Sequence, residues 1–300
     1  MVKLQNLLNN SKKVLNFFKF LKINKKQINF FSKEIKNNNL HFKESKDFLN
    51  LDPIFYLLID SLNFCFWNFN DNQIFSYLNK FNSVALAYKI KENLKYANPK
   101  FLYKNSEKFY KLLLKNTKGN LLLEKQRILI IKQIGKFLIK NDFYKILSNF
   151  NNKDVDLLAN FLVRNLPYVF LDVSYKNGFQ LNFFKKIRLL ISDLISLAGF
   201  EFKNQNKLLI FPDYGLPALF IYKNIIELDK KYLNKILNKK IIKKNSDLEI
   251  ALRSATVVVG SLIKENFKDL FYNQIDRLLW IFYERNKNKI IHHRTLTRFY

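Results

Sequence analysis

Cysteine, histidine, glycine and proline are all scarce in this chain, and each scarcity removes a class of site. One cysteine, Cys65, excludes an intramolecular disulfide and fits a reducing compartment. Adding three histidines, His41, His292 and His293, still leaves no Cys pair for a structural zinc site. The six glycines are isolated from one another, so neither a phosphate-cradling Gly-rich loop nor a dinucleotide fingerprint is present. A Gly-x-Ser-x-Gly nucleophile elbow is also missing. No uninterrupted apolar run approaches the roughly 20 residues that span a bilayer. Lys12, Lys13, Lys19 and Lys22 interrupt any secretory apolar region, and Lys and Asn rather than Arg and Ser fill the N-terminus, which gives little support to a transit signal. The expectation is a soluble, cytoplasmic protein with no membrane partner.

Apolar residues are plentiful. They make up 48% of 300 residues, with 31 phenylalanines, enough for a substantial core. A length prior of about 150 residues per domain points to two domains. Periodicity shows no boundary between independent halves, and the reading is one domain over 1–300 with an N-terminal helical segment at 1–36. Lys plus Arg outnumber Asp plus Glu by 52 to 24, a formal charge of +28. The lysines are spread along the chain, and Lys, Asn, Ile and Phe are inflated together, as in compositional drift. No stable nucleic-acid partner is expected, although a polyanion can bind nonspecifically.

Helical spacing dominates the pattern. Leu4 to Ile35 reads as one or two helices. Asp52-Pro53 and Asn98-Pro99 each place an N-cap before a proline suited to the first helical position. The first launches an apolar helix from Ile54 to about Trp67. Further helices are expected over Leu121–Leu138, Asp154–Leu166 (stopped by Pro167), Leu181–Phe200, Leu216–Leu228 and about Leu270–Arg285. Ser246 and Glu249 form a capping box, and Glu249 with Arg253 is a favourable i, i+4 pair, both read as structural. Sustained period-two alternation is missing, so strands should be few and the fold class all-α.

Leu208 to Pro217 (Leu-Leu-Ile-Phe-Pro-Asp-Tyr-Gly-Leu-Pro) combines an apolar run, scarce turn formers and one acid. On local pattern Asp213 is an N-cap for the next helix. Carboxylates near aromatics, Asp172, Asp193, Asp213 and Asp276, also suit cleavage of a glycosidic bond, where a carboxylate stabilises an oxocarbenium-like transition state.

Four stretches together resemble the queuosine salvage proteins: Leu62-Asn63-Phe64-Cys65-Phe66-Trp67, Phe184-Lys185-Lys186 to Asp193-Leu194, Phe211-Pro212-Asp213-Tyr214, and His293-Arg294 to Phe299-Tyr300. That family comprises queuosine 5'-phosphate N-glycosylases/hydrolases, which release queuine. The resemblance runs in order from about His41 to Tyr300. It implies an all-helical fold similar to helix-hairpin-helix DNA glycosylases and a reaction without metal or other cofactor. It makes Asp213 the catalytic aspartate, Phe211 a ligand-contacting aromatic, His41 a ligand-contacting histidine and Asp276 the reader of the 7-deazaguanine edge. Asp193 and Arg277 join the substrate-binding set, and Lys185, Lys186, His293 and Arg294 are the candidates for the phosphate. The implied partners are queuosine 5'-monophosphate and queuine. Departures from the family pattern are Gly215 and Ala218 for an Arg and a Gln, Leu171 for an Arg, Arg277 for an aromatic and Ile281 for an acid. Two rivals stand beside this reading: a nucleic-acid glycosylase or tRNA-binding protein, and a non-catalytic relative that keeps the scaffold.

Overall fold

Several helix starts follow capping chemistry in the computed structural model, which describes residues 3–38, 46–71 and 73–300. Helix α1 (Asn6–Leu15) leads to strand β1 (Leu21–Ile23) and helix α2 (Lys25–Asn37), whose N-cap Asn24 accepts from the Gln27 N–H. Asp52 caps α3 (Pro53–Leu62), with the proline at the first position. Next come the hairpin β2 (Ser76–Tyr77) and β3 (Lys80–Phe81), then α4 (Asn82–Glu92). Asn98 caps α5 (Pro99–Lys104), followed by α6 (Ser106–Leu114), α7 (Glu124–Lys140) and α8 (Phe143–Phe150). Asp154 caps α9 (Val155–Asn165), and Pro167 opens the short α10 (Pro167–Phe170).

The remainder is β4 (Val173–Lys176), β5 (Phe179–Asn182), α11 (Lys185–Ser196), α12 (Gly215–Tyr222), β6 (Ile226–Leu228), α13 (Lys230–Leu237), α14 (Asp247–Glu265) and α15 (Tyr272–Asn286). Among the described residues helix accounts for 60% and strand for 8%, so sheet serves only as short clips. Those clips, among the described residues, are three antiparallel pairs, β1 with β6, β2 with β3 and β4 with β5.

Several expected helices are shorter than their apolar patterns. The one expected over Leu216–Leu228 stops at Tyr222, because Asn224 adopts φ 53° and turns the chain into β6, where Ile226 pairs with Ile23. The one expected over Leu181–Phe200 starts only at Lys185. Asn177 and Gly178, at φ 47° and 80°, make the tight turn of the β4–β5 hairpin before it, the Asn-Gly signal of a two-residue loop. The helix expected to run to Trp67 ends at Leu62. Arg127 of α7 donates to the carbonyls of Leu62 at 2.7 Å and Phe64 at 2.5 Å, the first of which a helix continuing to Trp67 would have used for the Phe66 N–H.

The chain divides into two compact units. The first comprises Met1–Lys43, Asp172–Arg188 and Asn204–Leu296; the second, Glu44–Leu171, Leu189–Lys203 and Thr297–Tyr300. In the first, α14 is buried nearly all round, from Leu248 to Ile263, and packs against α1, α2, α12 and α15. A helix with no polar face is a core helix. In the second, α7 packs against α3, α5, α6 and α10. No helix among the described residues is long and apolar enough to cross a membrane.

Two glycines inside helices mark close approaches. A Cβ on Gly135 of α7 would lie 2.4 Å from the backbone nitrogen of Tyr103, and one on Gly260 of α14 would lie 2.1 Å from Cδ1 of Ile210. Backbone cannot step aside as a side chain can. Gly135→Ala is therefore expected to cost about 3 kcal/mol or more, and Gly260→Ala about 1–3 kcal/mol, read as urea unfolding midpoints. Equal losses, or a gain from helix propensity at position 135, would contradict the packing described.

Candidate active site

The segment Leu208 to Tyr214 of the first unit has no strand partner, yet Leu208 to Pro212 is buried. Its backbone polar groups must therefore meet side chains. Three helices supply them. Arg188 of α11 donates to the carbonyl of Leu208 and, at 3.2 Å, to that of Lys207. Arg253 of α14 donates Nε–H to the Pro212 carbonyl at 2.9 Å. Asp276 of α15 accepts the Phe211 N–H at Oδ1, 2.7 Å away. Leu209 stands at φ 53°, ψ −172°, a conformation that costs a non-glycine residue about 1–3 kcal/mol and persists where surrounding structure over-determines it.

Asp213 follows at the end of this segment, half-buried, ahead of α12. Its Oδ1 accepts the N–H groups of Gly215 at 2.8 Å and Leu216 at 3.2 Å, which is N-cap chemistry. Among the described residues, Oδ2 accepts no hydrogen bond. One oxygen is thus committed to the fold and the other is available to a ligand.

Asp276 is buried beside it. Loss of water raises its carboxyl well above the usual aspartate range; the Phe211 N–H lowers it, the Asp213 charge raises it further, and Lys185 and Arg277 lower it. The structure thus brings Phe211, Asp213, Asp276, Lys185 and Arg277 into one electrostatic neighbourhood of the first unit. Lys185 and Lys186 are both buried at the start of α11. Asp193, further along α11, belongs to the second unit. His41 lies outside the described residues.

The tail residues present a mixed picture. His292 lies tilted against Tyr214, ring centroids 4.6 Å apart, and donates from Nδ1 to the His293 carbonyl at 3.0 Å. Burial lowers His293 to about 3, with His292 and Arg253 adding to the effect, so its ring is neutral at pH 7. The Arg294 carbonyl accepts from the Ile242 N–H at 2.8 Å, which ties the tail to the chain ahead of α14.

Two features were not singled out as functional from sequence. The guanidinium of Arg253 grips Asp172 through both oxygens, at 2.6 and 3.1 Å, approaches Glu249 at 3.5 Å and lies over Phe183 at 3.9 Å. Only the Glu249 pairing has a local sequence signature; Asp172 is 81 residues away. The second is Tyr283, two turns beyond Asp276 on α15. Its Cε1 is 3.4 Å from where a Cβ on Gly215 would sit, and burial followed by the Asp213 charge raises its hydroxyl. The seven-residue spacing from Asp276 to Tyr283 was a usable signal, since it puts both on one helix face.

Two opposed pH dependences of stability follow. Asp276 holds its proton longer folded than unfolded, so stability falls as pH rises from about 3.8 through its raised folded value. Asp276→Asn, which keeps an acceptor for the Phe211 N–H, is expected to remove that slope. His293 is held neutral, so stability falls as pH drops from 6.5 towards about 3, and His293→Gln is expected to flatten that limb. Urea midpoints measured across these ranges check both; an unchanged profile in either variant refutes its assignment.

Residues 40–300 match the family described as queuosine salvage protein. The chain is 28% identical over 276 residues to the queuosine 5'-phosphate N-glycosylase/hydrolase of Dictyostelium discoideum, covering 86% of this chain and 81% of that protein. A protein of the same name from Sphaerobacter thermophilus is 24% identical over 281 residues, 88% of this chain and 85% of its own. The one from Bos taurus is 24% identical over 155 residues, 49% of this chain and 45% of its own. With a family match covering nearly the whole chain, including the carboxylates held around the Leu208–Tyr214 segment, the chain belongs to the queuosine salvage protein family.

Proposed function

We propose that this chain is a hydrolase of an N-glycosyl bond, cleaving queuosine 5'-monophosphate to queuine and ribose 5-phosphate. The observation that carries the reading, beside family membership, is a half-buried aspartate with one oxygen fixed by a helix N-terminus and the other unbonded among the described residues. Cleavage sends the electron pair of the C1′–N bond to the departing base, which takes up a proton. Positive charge develops at C1′, and Oδ2 of Asp213 is the group for it, as an electrostatic partner or as a nucleophile. Water then supplies the hydroxyl at C1′ and releases a proton. Preorganised charge aimed at a developing cation is usually the largest catalytic effect.

Asp276 reads the base in this scheme. A 7-deazaguanine edge offers a ring N–H and an exocyclic amine, both donors, which favour the ionised carboxylate that burial alone disfavours. Lys185 and Arg277 lower the cost of that ionisation. His41, Phe211 and Asp193 are proposed contacts to substrate, and Lys185, Lys186, His293 and Arg294 remain the phosphate candidates. A neutral His293 would meet phosphate as a hydrogen-bond donor, leaving the charge to the lysines and Arg294. We further propose that residues 1–300 act together as one enzyme, that the helical fold is akin to that of helix-hairpin-helix DNA glycosylases, and that the enzyme works in the cytoplasm without a cofactor.

A polynucleotide-binding reading rests on one observation. Lys104, Lys108, Lys125 and Lys132 line a groove over Ile128 and Leu129 in the second unit. Steep salt dependence of polynucleotide binding would support it, and weak, shallow dependence would leave the lysines as solvated surface.

Asp213→Asn retains a side-chain oxygen for the α12 cap and is expected to fold with a thermal midpoint close to that of the parent, while losing on the order of 10²-fold or more in turnover. Asp213→Ala is expected to lose the cap as well, at about 1 kcal/mol. Release of queuine from queuosine 5'-monophosphate by purified protein is the readout, and near-parental turnover in Asp213→Asn would overturn the assignment.

A further inference from the structure

The geometry points to Arg253 as a positioning residue that fixes the Pro212–Asp213 peptide and, through it, the direction of the Asp213 carboxylate. This rests on the reading above, in which Asp213 faces the reacting bond. Arg253 is fully buried in α14. Its Nε–H meets the Pro212 carbonyl at 2.9 Å, while the other edge of the guanidinium is held by both oxygens of Asp172. Phe183 lies against the guanidinium, and Glu249, one turn earlier on α14, flanks it. The planar fork is therefore oriented before it reaches the carbonyl.

That carbonyl belongs to the peptide whose nitrogen is Asp213, so swinging it would rotate the Asp213 Cα–Cβ bond. The other restraints are local or act on neighbouring groups. Asp276 holds the peptide nitrogen of Phe211, the Asp213 N–H donates to the Phe211 carbonyl at 2.9 Å within the same turn, and Gly215 and Leu216 hold only Oδ1 of Asp213. Arg253 is the restraint that ties this peptide, through its carbonyl, to the body of the first unit. A lysine in its place keeps the positive charge but presents a single nitrogen, which cannot serve the Pro212 carbonyl and chelate Asp172 at once.

Misplacing a catalytic group by about 1 Å costs up to about 10²-fold. Arg253→Lys is accordingly expected to lower kcat by about 10- to 100-fold while leaving queuine affinity within about threefold, because the Asp276 contact to Phe211 is untouched. In an Asp213→Asn background the same substitution is expected to reduce residual turnover by less than about twofold, since a residue acting only through Asp213 has nothing left to position. A purely structural role would lower both activities and queuine affinity together. Unchanged kcat in folded Arg253→Lys, loss of queuine affinity alongside kcat, or an additive double variant would each overturn the inference.

Should Arg253→Lys not fold, Asp172→Asn carries the same test. It slackens the guanidinium without removing it, and is expected to lower kcat by about 3- to 10-fold at unchanged queuine affinity, with unchanged kcat overturning the inference. Asp213→Asn assayed alongside separates the two levels. Retained turnover there refutes the functional reading, whereas loss there with full turnover in Arg253→Lys refutes only the positioning role.

Discussion

Buried backbone without a sheet partner must be satisfied by side chains, and in each unit an internal arginine does much of this work. In the second unit Arg127 gathers the carbonyls of Leu62, Phe64 and Leu122. In the first, Arg188 and Arg253 take the carbonyls of Leu208 and Pro212 from opposite ends of one short segment. A guanidinium suits the task because its five donors lie in one rigid plane and several carbonyls can share it. Burial of such a charge is costly on its own, which explains why Arg253 is fenced by Asp172 and Glu249 and by the face of Phe183. The Leu208–Tyr214 segment can thus be irregular, buried and fixed at the same time.

Fixity there matters because Asp213 serves two ends with two oxygens. As a cap it stabilises α12, and the N–H groups it accepts hold its side chain in one orientation. The second oxygen then needs no further ordering to face a ligand, which is the advantage of building a site on a rigid element. Cap and proposed catalyst are the same group in two capacities, so the local and family-level readings of Asp213 do not compete.

Two departures from the family pattern, Gly215 and Ala218, sit in the helix that Asp213 caps. Gly215 begins α12, and its missing side chain leaves room against which the Tyr283 ring packs. Ala218 is buried in the same helix, while Ile281 is half-buried on α15. Gly215 holds Oδ1 of Asp213 through its backbone N–H, so the loss of a side chain there leaves that contact in place, and neither Ala218 nor Ile281 supplies any of the restraints on Phe211, Pro212 or Asp213 described above. What changes is the wall around Asp213, where tyrosine now stands over the first turn of α12.

Local chemistry made much of this legible in sequence. Asp52, Asn98 and Ser246 cap helices where they were expected to, because an N-cap needs only its own two or three neighbours. Asp213 capped as its turn formers foretold. Helix ends were less legible. Leu62 and Tyr222 are ends set by Arg127 and by pairing of β6 with β1, partners more than 60 residues distant that leave no periodic mark. Strands of two to four residues are too short to alternate visibly.

By itself, then, the sequence determined the helical class, several of the caps and, through four ordered motifs, the family, and it named Asp213 as the candidate acid. Tertiary structure alone decided which groups act on that acid. Asp172 reaches Arg253 across 81 residues, and Asp276 reaches Phe211 across 65. Burial, set by the whole first unit, then pushes the Asp276 carboxyl up and His293 down. Ionisation depends on what surrounds a group in space, and no run of neighbours in the chain contains that information.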